Sequence, residues 1–352
     1  MVNYREWMPT VAMVAINLSF AGVNVLLKLT LDKGVHNLVV VTYRQLISCV
    51  LLTPIALFWE SRKSRPELAA GIICHLFFSA LIGVTFTQYL FLLGLQYTSA
   101  TYSCAFINMV PVNTFLLALP FGLEKVNIRS KGGRAKILGA LICIGGALSL
   151  TLYKGTPLTN QHSHATSQNE DNDYMRRAAK DKEKWAVGSL LLAAGCLLWA
   201  SWFLIQAKIG KSYPFQYSST AILSFFGAIQ SAILSLVTER NMNMSMWVLK
   251  GELEILSVLY AGAIGSGLCY VGMSWCVKQK GPLFTAAFTP LTQIFVAMFD
   301  FSTLKEQIYL GSVVGSVLVI VGMYVLLWGK SNDAKETVMK QTQAAEEGAD
   351  VP

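Results

Sequence analysis

Charge is scarce in this sequence: 14% of its 352 residues are Asp, Glu, Lys or Arg, where an ordinary globular domain carries about a quarter. With 54% hydrophobic residues and a mean hydropathy of +0.49, a soluble core of this size could not hide its apolar surface, so a soluble globular domain is excluded. Histidine is rarer still. His36, His75, His162 and His164 are all there are, with no HExxH run and no convergent nucleophile and base, so the chain reads as no enzyme and as needing no cofactor. Cys49, Cys74, Cys104, Cys143, Cys196, Cys269 and Cys276 lie in or beside apolar runs, without a CxxC pair or metal-ligand spacing, and read as small buried hydrophobes. His162 and His164 stand near Asp171 and Asp173 but lack a third anchored ligand, so no metal is expected.

What is present in quantity is long apolar runs. Stretches of the length that a hydrocarbon core of about 30 Å requires occur near 9–29, 38–58, 71–92, 100–120 and 136–153, then near 186–207, 218–237, 254–274, 283–301 and 309–328. The first is too long for a signal-peptide core and should remain as a span. The expected fold class is therefore all-α integral membrane, ten transmembrane helices. Two sets of five, 1–153 and 186–330, flank a polar stretch at 154–185 that lacks apolar periodicity and is expected to be a disordered linker. The tail, 331–352, reads the same way.

The formal charge of +8 and pI of 9.1 do not signal nucleic acid, because the basic residues sit in short clusters between apolar runs. Arg62, Lys63, Arg65, Lys125, Arg129, Lys131, Arg134 and Lys136 fall on one side with Lys208, Lys211, Lys278, Lys280 and Lys330; Lys28, Lys33, Arg240, Lys250 and Lys305 fall on the other. The positive-inside rule then puts both termini in the cytosol. The linker's six basic residues, Lys154, Arg176, Arg177, Lys180, Lys182 and Lys184, oppose that assignment.

Shifting the chain against itself by 179 positions sets Gly83 on Gly262, Pro111 on Pro290 and Ala118 on Ala297; a second block sets Gly139 and Gly146 on Gly315 and Gly322. Such matches indicate a duplicated unit, and with five spans per unit the second copy enters the bilayer inverted. Inverted repeats put a binding site at their interface that can open to either side, which favours transport over reception.

The stretches that carry a family likeness are Tyr43–Arg44, LEKVNIRSKGGRAKILGALICIGGAL from Leu123, YKG at Tyr153, KGPLFTAAFTPLTQIFVA from Lys280 and LKEQIYLGSVVGSVLVIVGMYVLLWGK from Leu304. On these the chain resembles plant EamA-type members of the drug/metabolite transporters, within the walls-are-thin-related, nodulin-like group, also called usually-multiple-acids-move-in-and-out transporters. The resemblance runs from about Pro9 to Lys330. It implies two inverted five-helix repeats, export or two-way movement of amino acids, and auxin (indole-3-acetate) as substrate in one branch. It also implies a cavity walled by spans 1, 3, 4, 6, 8 and 9. The partners expected are a small-molecule substrate and the lipid bilayer. The plasma membrane comes ahead of the vacuolar membrane, and the sequence does not choose the oligomeric state.

Polar groups within apolar spans mark a lumen or a helix contact. In the first span Asn17, Asn24 and Lys28 share a face; in the ninth, Thr285, Thr289 and Thr292 do so, with Gln293 adjacent. The third offers Gln88 and Tyr89, the fourth Asn108, the sixth Trp199, Trp202 and Gln206, and the eighth Tyr270. Each serves equally as solute-binding group or as interhelical glue. Pro111 and Pro290 are expected mid-helix as hinges or kinks. Arg44, about two turns inside the second span, either snorkels to the interface or draws a carboxylate. Glu124 and Glu306, at helix ends, fit a water-exposed capping or gate role. No Asp or Glu falls in a span interior, which predicts a facilitator rather than a proton-driven pump.

Overall fold

A computed structural model describes residues 4–31, 35–60, 70–98, 106–124, 127, 129–152, 171–238, 247–249, 251–303, 314–315, 317–318, 320–333 and 339. Among these residues every regular element is a helix. In hydrocarbon each backbone N–H and C=O needs an internal partner, and a helix supplies it within one segment.

The elements are α1 (Tyr4–Leu31), α2 (Asn37–Glu60), α3 (Ala70–Ala80, continued by Leu81–Phe86 and Thr87–Tyr97), α4 (106–107 and Val110–Ala118) and α5 (Lys131–Leu152). Then follow α6 (Asp171–Ser212), α7 (Gln216–Thr238), α8 (Glu252–Tyr260, Ala261–Cys269 and Tyr270–Lys280), α9 (Pro282–Ala287 and Thr289–Thr303) and α10 (320–333). Among the described residues six helices are long and apolar enough to cross a membrane unbroken: α1, α2, α3, α6, α7 and α8. The α4 and α9 segments are interrupted, and α10 is described only in part.

Helix α6 starts at Asp171, inside the stretch expected to be a disordered linker. The sequence MRRAAKDKEK has no apolar face, yet Ala, Arg, Lys and Glu are strong helix formers, and the span that follows supplies a nucleus to extend from. Residues 153–170, with His162 and His164, lie outside the described residues.

Two irregularities recur at the repeat spacing. The middle segments of α3 (Leu81–Phe86) and α8 (Ala261–Cys269) are π-helical and contain Gly83 and Gly262. In α3 the Thr87 hydroxyl donates to the Ile82 carbonyl at 2.6 Å, adding a second donor to a carbonyl that already accepts a backbone N–H of the wide turn. The breaks in α4 and α9 also match. Met109 N–H donates to Phe106 C=O at 2.9 Å, and Phe288 N–H donates to Thr285 C=O at 3.3 Å. Pro111 and Pro290 therefore stand in the first turn of a new helical segment, not mid-helix as expected. There the missing N–H removes no helical bond, and the fixed φ suits the helix start.

Helices α2 and α7 meet along small polar residues. Ser48 and Ser224 hydroxyls lie 2.9 Å apart, and Gly227 abuts Gln45 and Val84. Without a hydrophobic drive inside a bilayer, close contact and interhelical hydrogen bonds hold such pairs. Helices α5 and α10 meet backbone to backbone, Gly132 against Gly329 and Gly139 against Gly322. A Cβ on Gly139 would fall 2.5 Å from Leu326 N and 2.7 Å from Gly322 O. Neither atom can yield without moving a helix, so Gly139→Ala is expected to cost about 1–3 kcal/mol. Thermal unfolding of the purified protein in detergent measures this, and an unchanged midpoint would refute the contact.

A polar and aromatic wall at the centre of the bundle

The core is aromatic where α1, α3, α4, α6, α8 and α9 converge. Trp202 and Tyr270 are fully buried and pack with Trp199, Phe203, Phe20, Phe106 and Leu291. Trp199 stacks on Trp202 with centroids 5.1 Å apart and planes at 13°, and Tyr270 lies 5.5 Å from Trp202 and 6.2 Å from Trp199. Spacing by three residues sets both indoles on one face of α6, and Gly83 makes room for them. A Cβ there would come within 1.9 Å of Trp202 Cδ1.

Polar groups of four helices border this cluster. Gln88 of α3 is within hydrogen-bonding reach of the Tyr270 hydroxyl. Asn108, at the α4 break, donates from Nδ2 to Gln293 Oε1 on α9 at 2.6 Å. One residue earlier on α9, Thr292 donates to Asn17 Oδ1 on α1 at 2.7 Å, while Asn17 Nδ2 returns to Met13 C=O at 2.6 Å. Asn17 thus has both ends engaged and acts as a brace between α1 and α9. Asn17→Leu is expected to lower stability by about 0.6–2 kcal/mol. A double-mutant cycle with Thr292→Val, read by thermal unfolding, should show the coupling; additive effects would deny the brace.

The remaining expected residues are more scattered. Gln206 is buried and donates to Ser79 Oγ on α3 at 3.3 Å. Tyr89, Thr289 and Gln293 are half-buried. Asn24 is exposed, two turns from Asn17, while the adjacent Val23 takes the buried side of α1. The side chain of Lys28 and all of Glu306 lie outside the described residues.

Arg44 is 7% exposed and does not snorkel. Its guanidinium lies against the π-helical segment of α8, with Nη2 3.6 Å from where a Gly265 Cβ would be, and within electrostatic reach of Tyr270 and Cys269. Among the described residues no carboxylate pairs with it. Three buried polar atoms around this centre have no hydrogen-bond partner: Arg44 Nε, Trp202 Nε1 and Asn108 Oδ1. Buried polar groups are normally satisfied, so unsatisfied ones call for an explanation.

Glu124 departs from its expected water-exposed role. It is buried and ion-paired with Lys136, Nζ to Oε2 at 3.4 Å, and with Lys330. Lys136 also reaches Asp333 at 2.8 Å, and Ser130 donates to Asp333 at 3.2 Å. Folding back of the chain at Gly122, which has φ of 64°, turns Glu124 under the start of α5 rather than out to water. Burial pushes the Lys330 ammonium below the ordinary lysine pKa, with Glu124 opposing that shift. The cluster gathers residues from the α4–α5 connection, α5 and α10 at one end of the bundle, next to Lys280 and Gly281.

Glu60 was not singled out from sequence. The last residue of α2, it is buried and accepts from Tyr217 N–H and Ser218 N–H at 3.0 Å each, and from the Ser218 hydroxyl. It caps the N-terminus of α7 from another helix. The available signal was the lack of a local cap at Phe215 before α7.

The architecture and its interior define a multi-pass membrane protein with a polar and aromatic wall in its core, a carrier of solutes. The chain belongs to the EamA-like transporter family, whose model matches residues 7–152 and again 186–328, and it falls with the plant WAT1-related members. It is a transporter and not an enzyme. Two WAT1-related proteins of Arabidopsis thaliana are similar to it, at 52% identity over 96% of this chain and 91% of the relative, and at 51% over 96% and 90%. A solved crystal structure shares the fold with a TM-score of 0.63 and 13% identity, over 91% of this chain and 98% of that one.

Proposed function

We propose that this transporter moves small organic solutes, foremost amino acids, by alternating access at the interface of two inverted five-helix repeats at 1–153 and 186–330. The observation that carries this reading is the pairing of irregularities at a spacing of 179: π-helical segments around Gly83 and Gly262, and helix breaks ahead of Pro111 and Pro290. Discontinuous helices at matching positions are how inverted-repeat carriers assemble a site near the midplane. The double match of the family model supports the same division. In this reading ten helices cross the bilayer of the plasma membrane, both termini are cytosolic, and the ion-paired cluster at Glu124 faces the cytosol. Asn108 and Gln293 join the two breaks. Gln88, Tyr89, Trp199, Trp202, Gln206 and Tyr270 line the path with them, and Pro111 and Pro290 mark where segments tilt.

Carriers coupled to protons use a titratable group within the path. Among the described residues the buried carboxylates, Glu60 and Glu124, are engaged at helix ends, which supports facilitated movement down the solute gradient. Proteoliposomes loaded with unlabelled phenylalanine or alanine should accumulate the labelled amino acid transiently by counterflow. An imposed pH gradient at clamped potential should give no net accumulation. Accumulation driven by the pH gradient alone would overturn the facilitator mechanism; absence of counterflow for every amino acid would overturn the substrate class.

A further inference from the structure

We propose that Arg44 is the anchor for a solute carboxylate, so that this carrier selects solutes by a carboxylate beside an apolar or aromatic body. This rests on the transport reading above and names the chemistry of its site.

Arg44 is a permanent cation in a membrane-spanning helix, 7% exposed, with Nε buried and unpartnered. An isolated buried charge is costly and is normally held by an opposite charge or a set of hydrogen bonds. Among the described residues neither is present: the groups within its field are the Tyr270 phenol and the Cys269 thiol, neither a carboxylate, and Gly265 leaves its Nη2 uncovered by a side chain. The opposite charge is thus left for a ligand. A second unpartnered donor nearby, Trp202 Nε1, is turned to Gly83 of α3, in an indole whose ring lies 5.5 Å from that of Tyr270. A guanidinium able to bind bidentately suits the paired oxygens of a carboxylate.

The repeat makes the feature specific. At the spacing of 179, Arg44 corresponds to Leu223 on α7, which is 1% exposed and packed in the same core cluster. The neighbouring pair, Gln45 and Ser224, stays polar in both halves. One half of the pseudo-symmetric centre therefore carries a charge where its mate carries a hydrocarbon. An arginine with only a structural task at the crossing would leave its donors paired with the protein. The stacked faces of Trp199 and Trp202 border the same centre and offer a surface for the solute's apolar body.

The test uses a matched set, phenylacetate, phenylacetamide and phenylalanine, as inhibitors and labelled substrates of the full-length protein in proteoliposomes. The wild type should favour phenylacetate or phenylalanine over phenylacetamide by at least about ten-fold in half-saturating concentration, the scale of one lost charge-assisted contact. Arg44→Gln should bring the carboxylates down to the level of the amide and leave the amide unchanged; Arg44→Lys should keep part of the discrimination. Thermal protection of the wild type by phenylacetate but not phenylacetamide gives the same answer without any variant. A wild type that moves these solutes with no preference for the carboxylate overturns the anchor but not the carrier. Equal loss of amide and carboxylate in Arg44→Gln assigns a structural role and also overturns it. No flux of any amino acid or of this set by the wild type would overturn the functional reading itself, and the anchor with it.

Discussion

Trp202→Ala is expected to reduce solute flux about ten-fold or more while leaving the amount of protein at the cell surface unchanged. Trp202 is fully buried and contacts Trp199, Phe203 and Tyr270. Each aromatic pair contributes about 0.5–1.5 kcal/mol beyond area burial, and 1.4 kcal/mol already corresponds to a factor of ten. The indole also fills the hollow over Gly83, so its removal unseats the stacked Trp199 and opens the centre of the bundle. Trp202→Phe separates the two parts of the role, since it keeps a ring over Gly83 and removes the unpartnered Nε1 donor. Uptake assays paired with surface biotinylation read the result, and full flux in Trp202→Ala would remove the aromatic wall from the transport path.

Loss of the Glu124 carboxylate should be the most destabilising single change at the polar end of the bundle. Glu124→Ala leaves Lys136, 3% exposed, and Lys330 without their shared acceptor. Breaking a buried ion pair from one side costs about 3–5 kcal/mol, because a charge stays behind uncompensated. Lys330 is already held below its ordinary pKa by burial, and this carboxylate opposes that shift. Lys136→Met should be milder, since Glu124 keeps Lys330 and Asp333 keeps Ser130. The double variant Glu124→Leu/Lys330→Met should recover part of the loss, since Lys136 keeps Asp333 and apolar groups replace the other charge pair. Unfolding midpoints in detergent give the comparison, and a Glu124→Ala midpoint equal to the wild type would exclude the buried cluster.

The features legible in sequence are those that follow a period. Apolar run length located α1, α2, α3, α6, α7 and α8, because hydrocarbon thickness fixes how many residues a helix needs. The glycine matches at the repeat spacing pointed to helix contacts, and Gly83 and Gly139 do lie at close approaches. Helical spacing put Trp199 and Trp202 on one face. What spacing could not supply was the partner across space. Pro111 reads as mid-helix in a continuous apolar run, and only the turn at Asn108–Met109 moves it to a helix start. Glu124 reads as a polar residue at a helix end, and only the return of the chain beneath α5 buries it. Glu60 and Tyr217 are far apart in sequence, so the cap that joins them leaves no local pattern. The helix from Asp171 was hidden for another reason: it depends on backbone propensity without an apolar face.

The seam between α5 and α10 has a mechanical meaning. Gly132 faces Gly329 and Gly139 faces Gly322, so the two helices run antiparallel and touch at points one heptad apart. Side chains between moving helices act as teeth that can disengage and mesh again in a new register. At the glycines the two backbones touch directly, with Leu326 and Cys143 wedged beside them, and any slide by a fraction of a turn would drive those side chains into the facing carbonyls. Such a joint can roll slightly about its length but cannot shift along it. In the alternation proposed above it would serve as the fixed spine, a hinge pin for the other helices, so a crosslink across it is expected to leave turnover intact where a crosslink between α1 and α9 is expected to arrest it.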